Sequence, residues 1–221
     1  MLEIDDLEVR RGNFRLRVNH LHATGRIVLL GRNGSGKSTL LKCVAGFIKP
    51  IKGVIRLDGE EITYLPPDKR GVGYLPQDTF RLPLTPSKAL SYFSKIFRID
   101  AASLETELSL TNLLEKESLS TGESQIINLS IILLKKPKLL LLDEPTSSLD
   151  YVNRRLFWGF IQKLKKPMLY VTHDPLEAAV VGEEYYLLED GGTYGPFENR
   201  LKDEIDDVIS LLDPYMERMR S

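Results

Sequence analysis

The segment at residues 31–39, GRNGSGKST, constrains the fold of this chain more than any other feature. It follows a short apolar run at 27–30 and precedes an amphipathic stretch that Gly46 is expected to end. A buried strand, a glycine-rich loop and a helix therefore occur in the order that a phosphate-binding unit requires. The sequence predicts an α/β fold built around this loop.

The residues of the loop are suited to a polyphosphate. Its glycines let the backbone curl so that successive N–H groups face the phosphates. Lys37 is expected to place its ammonium against the β and γ groups, and the Ser38 hydroxyl is expected to be a magnesium ligand. The predicted nucleotide-binding residues are Gly31, Asn33, Gly34, Ser35, Gly36, Lys37, Ser38 and Thr39.

Composition restricts the setting of this unit. A chain of 221 residues, 42% of them hydrophobic, can bury one good α/β core. The formal net charge of −1 gives no broad basic field, so nucleic acid is not an expected partner. The single cysteine, Cys43, excludes an intrachain disulfide and is predicted to be a core residue. No apolar run approaches the roughly 20 residues that span a bilayer, so we expect any membrane role to come through a partner chain.

Two further patterns predict additions to the core. Phe14, Leu16 and Val18 alternate with polar residues, which is typical of a one-sided strand in an antiparallel edge sheet. Between residues 86 and 117 the apolar residues follow helical spacing, which predicts a small helical subdomain.

These patterns give the predicted organisation of the chain. Residues 1–77 and 139–221 are assigned to the core with its β subdomain, and about 78–138 to the helical subdomain. Within the last part, residues 200–212 have the pattern of an amphipathic helix with acidic residues on one side.

The segment 119–123, LSTGE, is predicted to begin a helix. Ser120 and Glu123 fit a capping box, in which each side chain accepts a hydrogen bond from the other residue's backbone N–H. The remaining N–H groups and the positive end of the helix macrodipole, roughly half an elementary charge, attract an anion. Such a box alone is an ordinary helix start. Together with the glycine-rich loop, it predicts a phosphate contact through Ser120 and Gly122.

The second half of the chain supplies candidate acid–base residues. The apolar run at 139–142 predicts a buried parallel strand that delivers Asp143 and Glu144 to the crevice at its carboxyl end. Asp143 is expected to hold the magnesium shell and Glu144 to orient the attacking water or accept its proton, unless the pair only caps a turn. A strand at 168–172 leads to His173, either a γ-phosphate contact or a capping or buried residue.

These motifs together resemble the nucleotide-binding subunit of an ATP-binding cassette (ABC) transporter over nearly the whole chain. Besides the segments above, Gln77 matches the family's Q-loop and residues 148–150 match its D-loop. The resemblance implies a P-loop NTPase core with an antiparallel β edge sheet and a small α-helical subdomain. It implies an ATPase with ATP and Mg²⁺ as cofactors, in which Gln77 contacts magnesium and the nucleophilic water, and His173 is a catalytic residue.

The resemblance also implies partners. Two domains, as a second copy or a paralogue, pair head to tail, so that each ATP lies between Lys37 of one and Ser120 with Gly122 of the other. An integral membrane transport subunit docks on the helical subdomain, and a substrate-binding protein can complete the system. This places the chain in the cytoplasm, peripherally on the cytoplasmic face of the cell membrane.

Two departures from the family bear on the site. Thr121 and Glu123 stand where the family commonly has glycine and glutamine. A carboxylate so close to a γ-phosphate is unfavourable unless it is turned away. The aromatic residue that stacks on adenine is also not evident. Arg11 is the candidate for covering the purine, and Phe14 is predicted to be a core residue.

Two function classes fit these motifs. One is an ATPase that powers substrate movement across a membrane, and the other is a soluble ABC ATPase acting in cluster assembly or translation. The chain has no room for the coiled-coil arm of DNA-repair types, and it carries one set of motifs where translation types usually carry two. The segment 68–77, DKRGVGYLPQ, is similar to that of sugar and oxyanion importers, which favours import over export. The transported substrate cannot be derived from the sequence.

Overall fold

Two β-sheets and seven α-helices form the fold in the computed structural model, which describes residues 1–78 and 83–199. The predicted helix at 200–212 lies outside the described residues. The strands are β1 (Leu2–Arg11), β2 (Phe14–Ala23), β3 (Arg26–Leu30), β4 (Lys52–Leu57), β5 (Glu60–Glu61), β6 (Val72–Leu75), β7 (Leu139–Asp143), β8 (Met168–Thr172), β9 (Glu184–Glu189) and β10 (Gly192–Glu198). The helices are α1 (Lys37–Ala45), α2 (Pro86–Phe97), α3 (Ala102–Glu107), α4 (Thr111–Leu114), α5 (Thr121–Leu134), α6 (Tyr151–Lys163) and α7 (Pro175–Val181).

The smaller sheet is antiparallel, with the strand order β2-β1-β4-β5. Along β2, Leu16 and Val18 are buried while Arg15 and Arg17 are exposed. The predicted one-sided edge sheet is therefore confirmed.

The larger sheet has the strand order β10-β9-β3-β8-β7-β6, and all its neighbouring strands pair in parallel except β10 with β9. One face packs against α1 and the antiparallel sheet, and the other packs against α5, α6 and α7. Because both faces are covered, β7 and β8 are buried throughout and apolar along almost their whole length. The carboxyl ends of β3, β7 and β8 meet at one edge, which is where such sheets bind ligands.

Helices α2 to α4 lie within residues 86–117, where helical spacing was predicted, and α5 follows that stretch. The longest of them, α5, is almost entirely buried and packs against α6 and α2. None of the helices among the described residues combines the length and the apolarity that a bilayer crossing requires. Cys43, on α1, is fully buried, and burial raises the pKa of its thiol to about 11, as expected for a core residue.

Candidate functional site

The loop between β3 and α1 leaves the helix N-terminus open. Gly36, the N-cap of α1, has a left-handed backbone with φ of 109°, and no side chain caps the helix. A Cβ at this position would lie 2.7 Å from the ring of Phe14, so only glycine fits. The first turn of α1 carries no acidic residue. Its N–H groups and the positive end of its dipole are therefore available to an anion.

Lys37 is held at the base of this loop. Its side chain is only 3% exposed, and Nζ donates to the carbonyl oxygens of Gly31 and Arg32 at 2.8 and 2.9 Å. Nζ also lies 3.2 Å from Oε1 of Glu144. A buried ammonium is tolerated here because three oxygen atoms surround it.

Asp143, at the end of β7, is fixed by two hydroxyl groups. Ser38 donates to Oδ1 at 2.8 Å, and Tyr74 on β6 donates to Oδ2 at 2.9 Å. Burial, together with the negative charge of Asp143, raises the pKa of Tyr74 well above its ordinary value. The phenol therefore keeps its proton, and both hydroxyls hold the carboxylate toward the phosphate loop.

Glu144 follows directly but points elsewhere, because its backbone turns sharply. Its φ is 45°, in the left-handed region that few residues other than glycine adopt. Its carboxylate lies between Lys37 and His173, whose Nδ1 is 3.1 Å from Oε2. Such a backbone conformation is typical of positions where the surrounding structure imposes a particular side-chain direction.

Lys37, Ser38 and Glu144 line one cleft of about 400 Å³ next to the loop. Asp143 and His173 contact two of these lining residues, Ser38 and Glu144 respectively. Its lining residues are Arg11, Phe14, Asn33, Gly34, Gly36, Lys37, Ser38, Thr39, Gln77 and Glu144. Gly31 and Ser35 instead line an adjoining cleft on the β9 side of the loop. Phe14 is partly buried against the core, as predicted, but it also faces the cleft beside Arg11.

Gln77 is exposed at the edge of the cleft. Its Nε2 donates to Oγ of Ser147 at 3.3 Å, in the segment that follows β7. The side chain thus joins the end of β6 to the loop after the two carboxylates.

The predicted capping box at α5 is confirmed. Oγ of Ser120 accepts from the Glu123 N–H at 3.2 Å, and the Glu123 carboxylate accepts from the Ser120 N–H at 2.9 Å. Lys116 Nζ lies 2.6 Å from Oε1 of the same carboxylate and pairs with its charge. Burial raises the pKa of Glu123, but the hydrogen bonds from Lys116 and Ser120 lower it by more, so that it lies below its ordinary value.

Ser120 and Gly122 face the start of α6. Oγ of Ser120 donates to Oδ1 of Asn153 at 2.8 Å, and a Cβ on Gly122 would lie 2.8 Å from that same oxygen atom. Among the described residues, neither Ser120 nor Gly122 lines the cleft at the phosphate loop. Within one chain, Lys37 therefore meets Glu144 at the end of β7, and Glu144 meets His173 at the end of β8. The start of α5 does not line the cleft beside them.

Three of these contacts were missed in the sequence analysis. Tyr74 could have been found, because β6 and β7 are parallel neighbours whose carboxyl ends meet at one edge. The sequence gives a weaker indication for Asn153. Asp150 is a good N-cap residue for α6, and it accepts the N–H of Asn153 three residues later. Ser147 has no local signal, because its partner Gln77 lies 70 residues earlier.

The same groups fit a magnesium ion that is shared with a nucleotide. The described residues hold no group of three or more acidic, histidine or cysteine side chains that could bind a metal without help. Magnesium commonly takes one or two carboxylates and completes its shell with substrate phosphates and water. Asp143 and the Ser38 hydroxyl, 2.8 Å apart, supply hard oxygen atoms beside the phosphate loop.

Comparison with known proteins agrees with this geometry. Residues 18–147 match the family described as ABC transporter. The molybdate/tungstate import ATP-binding protein WtpC of Archaeoglobus fulgidus is 37% identical over 196 residues, covering 83% of this chain and 82% of that protein. WtpC of Methanocaldococcus jannaschii is 36% identical over 203 residues, covering 86% and 68%.

Solved structures show the same fold. An ATP-binding cassette of an ABC transporter in its ADP conformation superposes with a TM-score of 0.77, covering 95% of this chain and 94% of the other at 21% sequence identity.

Proposed function

Because the chain belongs to the ABC transporter family, as an ATP-hydrolysing subunit that powers transport across a membrane, we propose that it drives import of molybdate, tungstate or a related oxyanion. Support for the substrate comes from the two relatives above, which carry that description and match most of this chain. The family match and these names do not favour a soluble ABC ATPase of the cluster-assembly or translation type.

The observation that carries the chemistry is the triangle of Lys37, Glu144 and His173. We propose that Glu144 orients the attacking water and accepts its proton as the water oxygen bonds to the γ-phosphorus and ADP leaves. Its contacts of 3.2 Å with Lys37 and 3.1 Å with His173 support this role, because a general base must be held in place. His173 is proposed to contact the γ-phosphate from the end of β8.

The nucleotide is proposed to lie along the phosphate loop, with its phosphates on Gly31, Asn33 to Ser38 and Thr39. Ser38, Asp143 and Gln77 are the proposed holders of Mg²⁺, which when bound neutralises charge that develops on the phosphates. Gln77 borders the cleft next to Ser38, which supports its inclusion.

Arg11 and Phe14 are the proposed cover for the adenine. Both border the cleft, and a guanidinium or an aromatic ring can stack on a purine.

We propose that a second copy or a paralogue supplies Ser120 and Gly122 to this nucleotide. Both residues belong to the N-terminal end of α5, which is a suitable anion contact. An integral membrane subunit is proposed to dock on the helical subdomain at about 78–138, which would hold the chain at the cytoplasmic face of the membrane. A substrate-binding protein would supply the oxyanion.

Cellular uptake tests this proposal. In cells that lack the gene for this chain, molybdate or tungstate accumulation, measured by mass spectrometry of washed cells, should fall at low external concentration. The wild-type chain should restore accumulation and Glu144→Gln should not. Unchanged oxyanion accumulation in the cells that lack the gene would contradict the proposed substrate.

A further inference from the structure

Glu177 is a buried carboxylate for which the proposed reaction has no use so far. It lies on α7 and is only 3% exposed. Its Oε1 accepts from Trp158 Nε1 at 2.9 Å, from the Tyr170 hydroxyl at 2.5 Å and from the Thr146 hydroxyl. Its Oε2 accepts from the Thr172 hydroxyl. Four hydrogen-bond donors satisfy this buried carboxylate. Removing any one of them leaves part of the free-energy cost of burying the charge uncompensated.

The donors show that Glu177 acts as an acceptor. Trp158 can only donate, and the Thr172 oxygen already accepts the Asp174 N–H at 3.0 Å, so its own hydrogen is free to point at Glu177. Burial, together with the charge of the Glu177 carboxylate, raises the pKa of Tyr170 well above its ordinary value, so this hydroxyl also keeps its proton.

Two of the four donors lie next to the proposed catalytic residues. Thr146 is two residues after Glu144, and Thr172 immediately precedes His173. One side chain therefore holds the segments that carry both members of the Glu144–His173 contact.

A second contact joins the same two segments. Arg154 donates to the carbonyl oxygen of Leu149 at 3.1 Å and pairs with Asp174 at 2.9 Å. Asp174 in turn caps α7 by accepting the Leu176 N–H at 2.9 Å. The loop after β7 and the start of α7 are thus linked twice, through Glu177 and through Arg154.

We infer that Glu177 is a positioning residue for ATP hydrolysis, which fixes Glu144 and His173 relative to each other through the hydroxyls of Thr146 and Thr172. This rests on the catalytic roles proposed above, though not on the proposed oxyanion. Loss of this anchor lets the two residues shift, and small shifts of catalytic groups cost large factors in rate. Binding of the nucleotide, which depends on the phosphate loop, is unaffected.

The test compares loss of the Glu177 carboxylate with loss of single contacts to it. In purified chains, Glu177→Ala should lower kcat for ATP hydrolysis at least tenfold with the Kd for ATP changed less than threefold. Glu177→Gln keeps one acceptor oxygen for the three donors at Oε1 and can donate its amide N–H to the Thr172 oxygen, so it should recover kcat to within about threefold of wild type. Thr146→Val and Thr172→Val should each lower kcat by about three- to tenfold. Trp158→Phe removes a donor that lies on α6, outside the two segments that carry Glu144 and His173. This variant should lose as much thermal stability as Thr172→Val, but its kcat should fall less.

The contrast between Trp158→Phe and the threonine variants separates positioning from mere stabilisation. If kcat falls in proportion to lost stability in all three, or if both threonine variants keep wild-type kcat, the inference is wrong. The threonine variants decide the question even if Glu177→Ala does not fold. ATP hydrolysis is measured directly, so an error in the proposed oxyanion leaves this result unaffected, and Glu144→Gln shows separately whether Glu144 is catalytic.

Discussion

The N-termini of α1 and α5 are both candidate phosphate contacts, and they differ in how much of their binding capacity the chain itself uses. At α1, Gly36 provides no cap, the first turn has no acidic residue, and Lys37 is within reach of the catalytic groups. At α5, Ser120 and Glu123 satisfy each other's N–H groups, and Ser120 also donates to Asn153. The first end therefore leaves its N–H groups open to an anion within one chain, whereas the second is proposed to contact a phosphate that another chain binds.

The largest effect is expected at the α1 end. Glu144→Gln keeps the shape of the side chain but removes its basicity, so hydrolysis should slow by roughly two or more orders of magnitude while ATP still binds. Single-turnover hydrolysis and equilibrium ATP binding measure the two quantities. Glu61→Gln, on the antiparallel sheet, is the matched control and should behave as wild type. An unchanged rate in Glu144→Gln would show that Glu144 is not catalytic.

A smaller effect is expected at the α5 end. Ser120→Asp keeps a good N-cap but directs a negative charge at the incoming phosphate, so hydrolysis should fall by about tenfold. ATP affinity of the separate chain should stay unchanged, because the phosphate loop is intact. Ser120→Asn, an equally good cap without charge, should stay within about threefold of wild type. If both variants lose activity equally, the start of α5 matters for folding and not for phosphate.

The smallest effect concerns the stability of the α5 cap. Glu123→Ala should lower the free energy of unfolding by about 1 kcal/mol at pH 7, as expected for a lost cap interaction. The folded-state pKa of Glu123 is lowered, so its stabilising effect is full above its ordinary pKa and is lost as pH falls through the lowered value. Denaturant unfolding at pH 7 and pH 3 measures this, with exposed Glu117→Ala as the control. An equal deficit at both pH values would exclude the ionised carboxylate as its source.

The contrast between the two helix ends also shows what a sequence can predict. The loop at 31–39, the strand that delivers Asp143 and Glu144, and the α5 capping box depend on residues close in sequence, and all three are present. The contacts of Ser120 with Asn153 and of Glu177 with Thr146 join residues 33 and 31 positions apart on different elements. Such contacts follow from how helices pack, which local patterns do not determine. The phosphate contact at Ser120 and Gly122 stays a prediction, and only the family resemblance implies that this phosphate is bound by another chain.

We propose that one chain supplies the α1 end and another supplies the α5 end of each ATP site. Mixing two variants of lowered activity, Lys37→Ala and Ser120→Asp, tests this most directly. In a head-to-tail pair of Lys37→Ala with Ser120→Asp, one site combines an intact Lys37 from one chain with an intact Ser120 from the other. We predict that, at concentrations where chains pair, the mixture hydrolyses ATP well above the sum of the separate rates. A mixture that shows no gain over that sum would contradict the shared site.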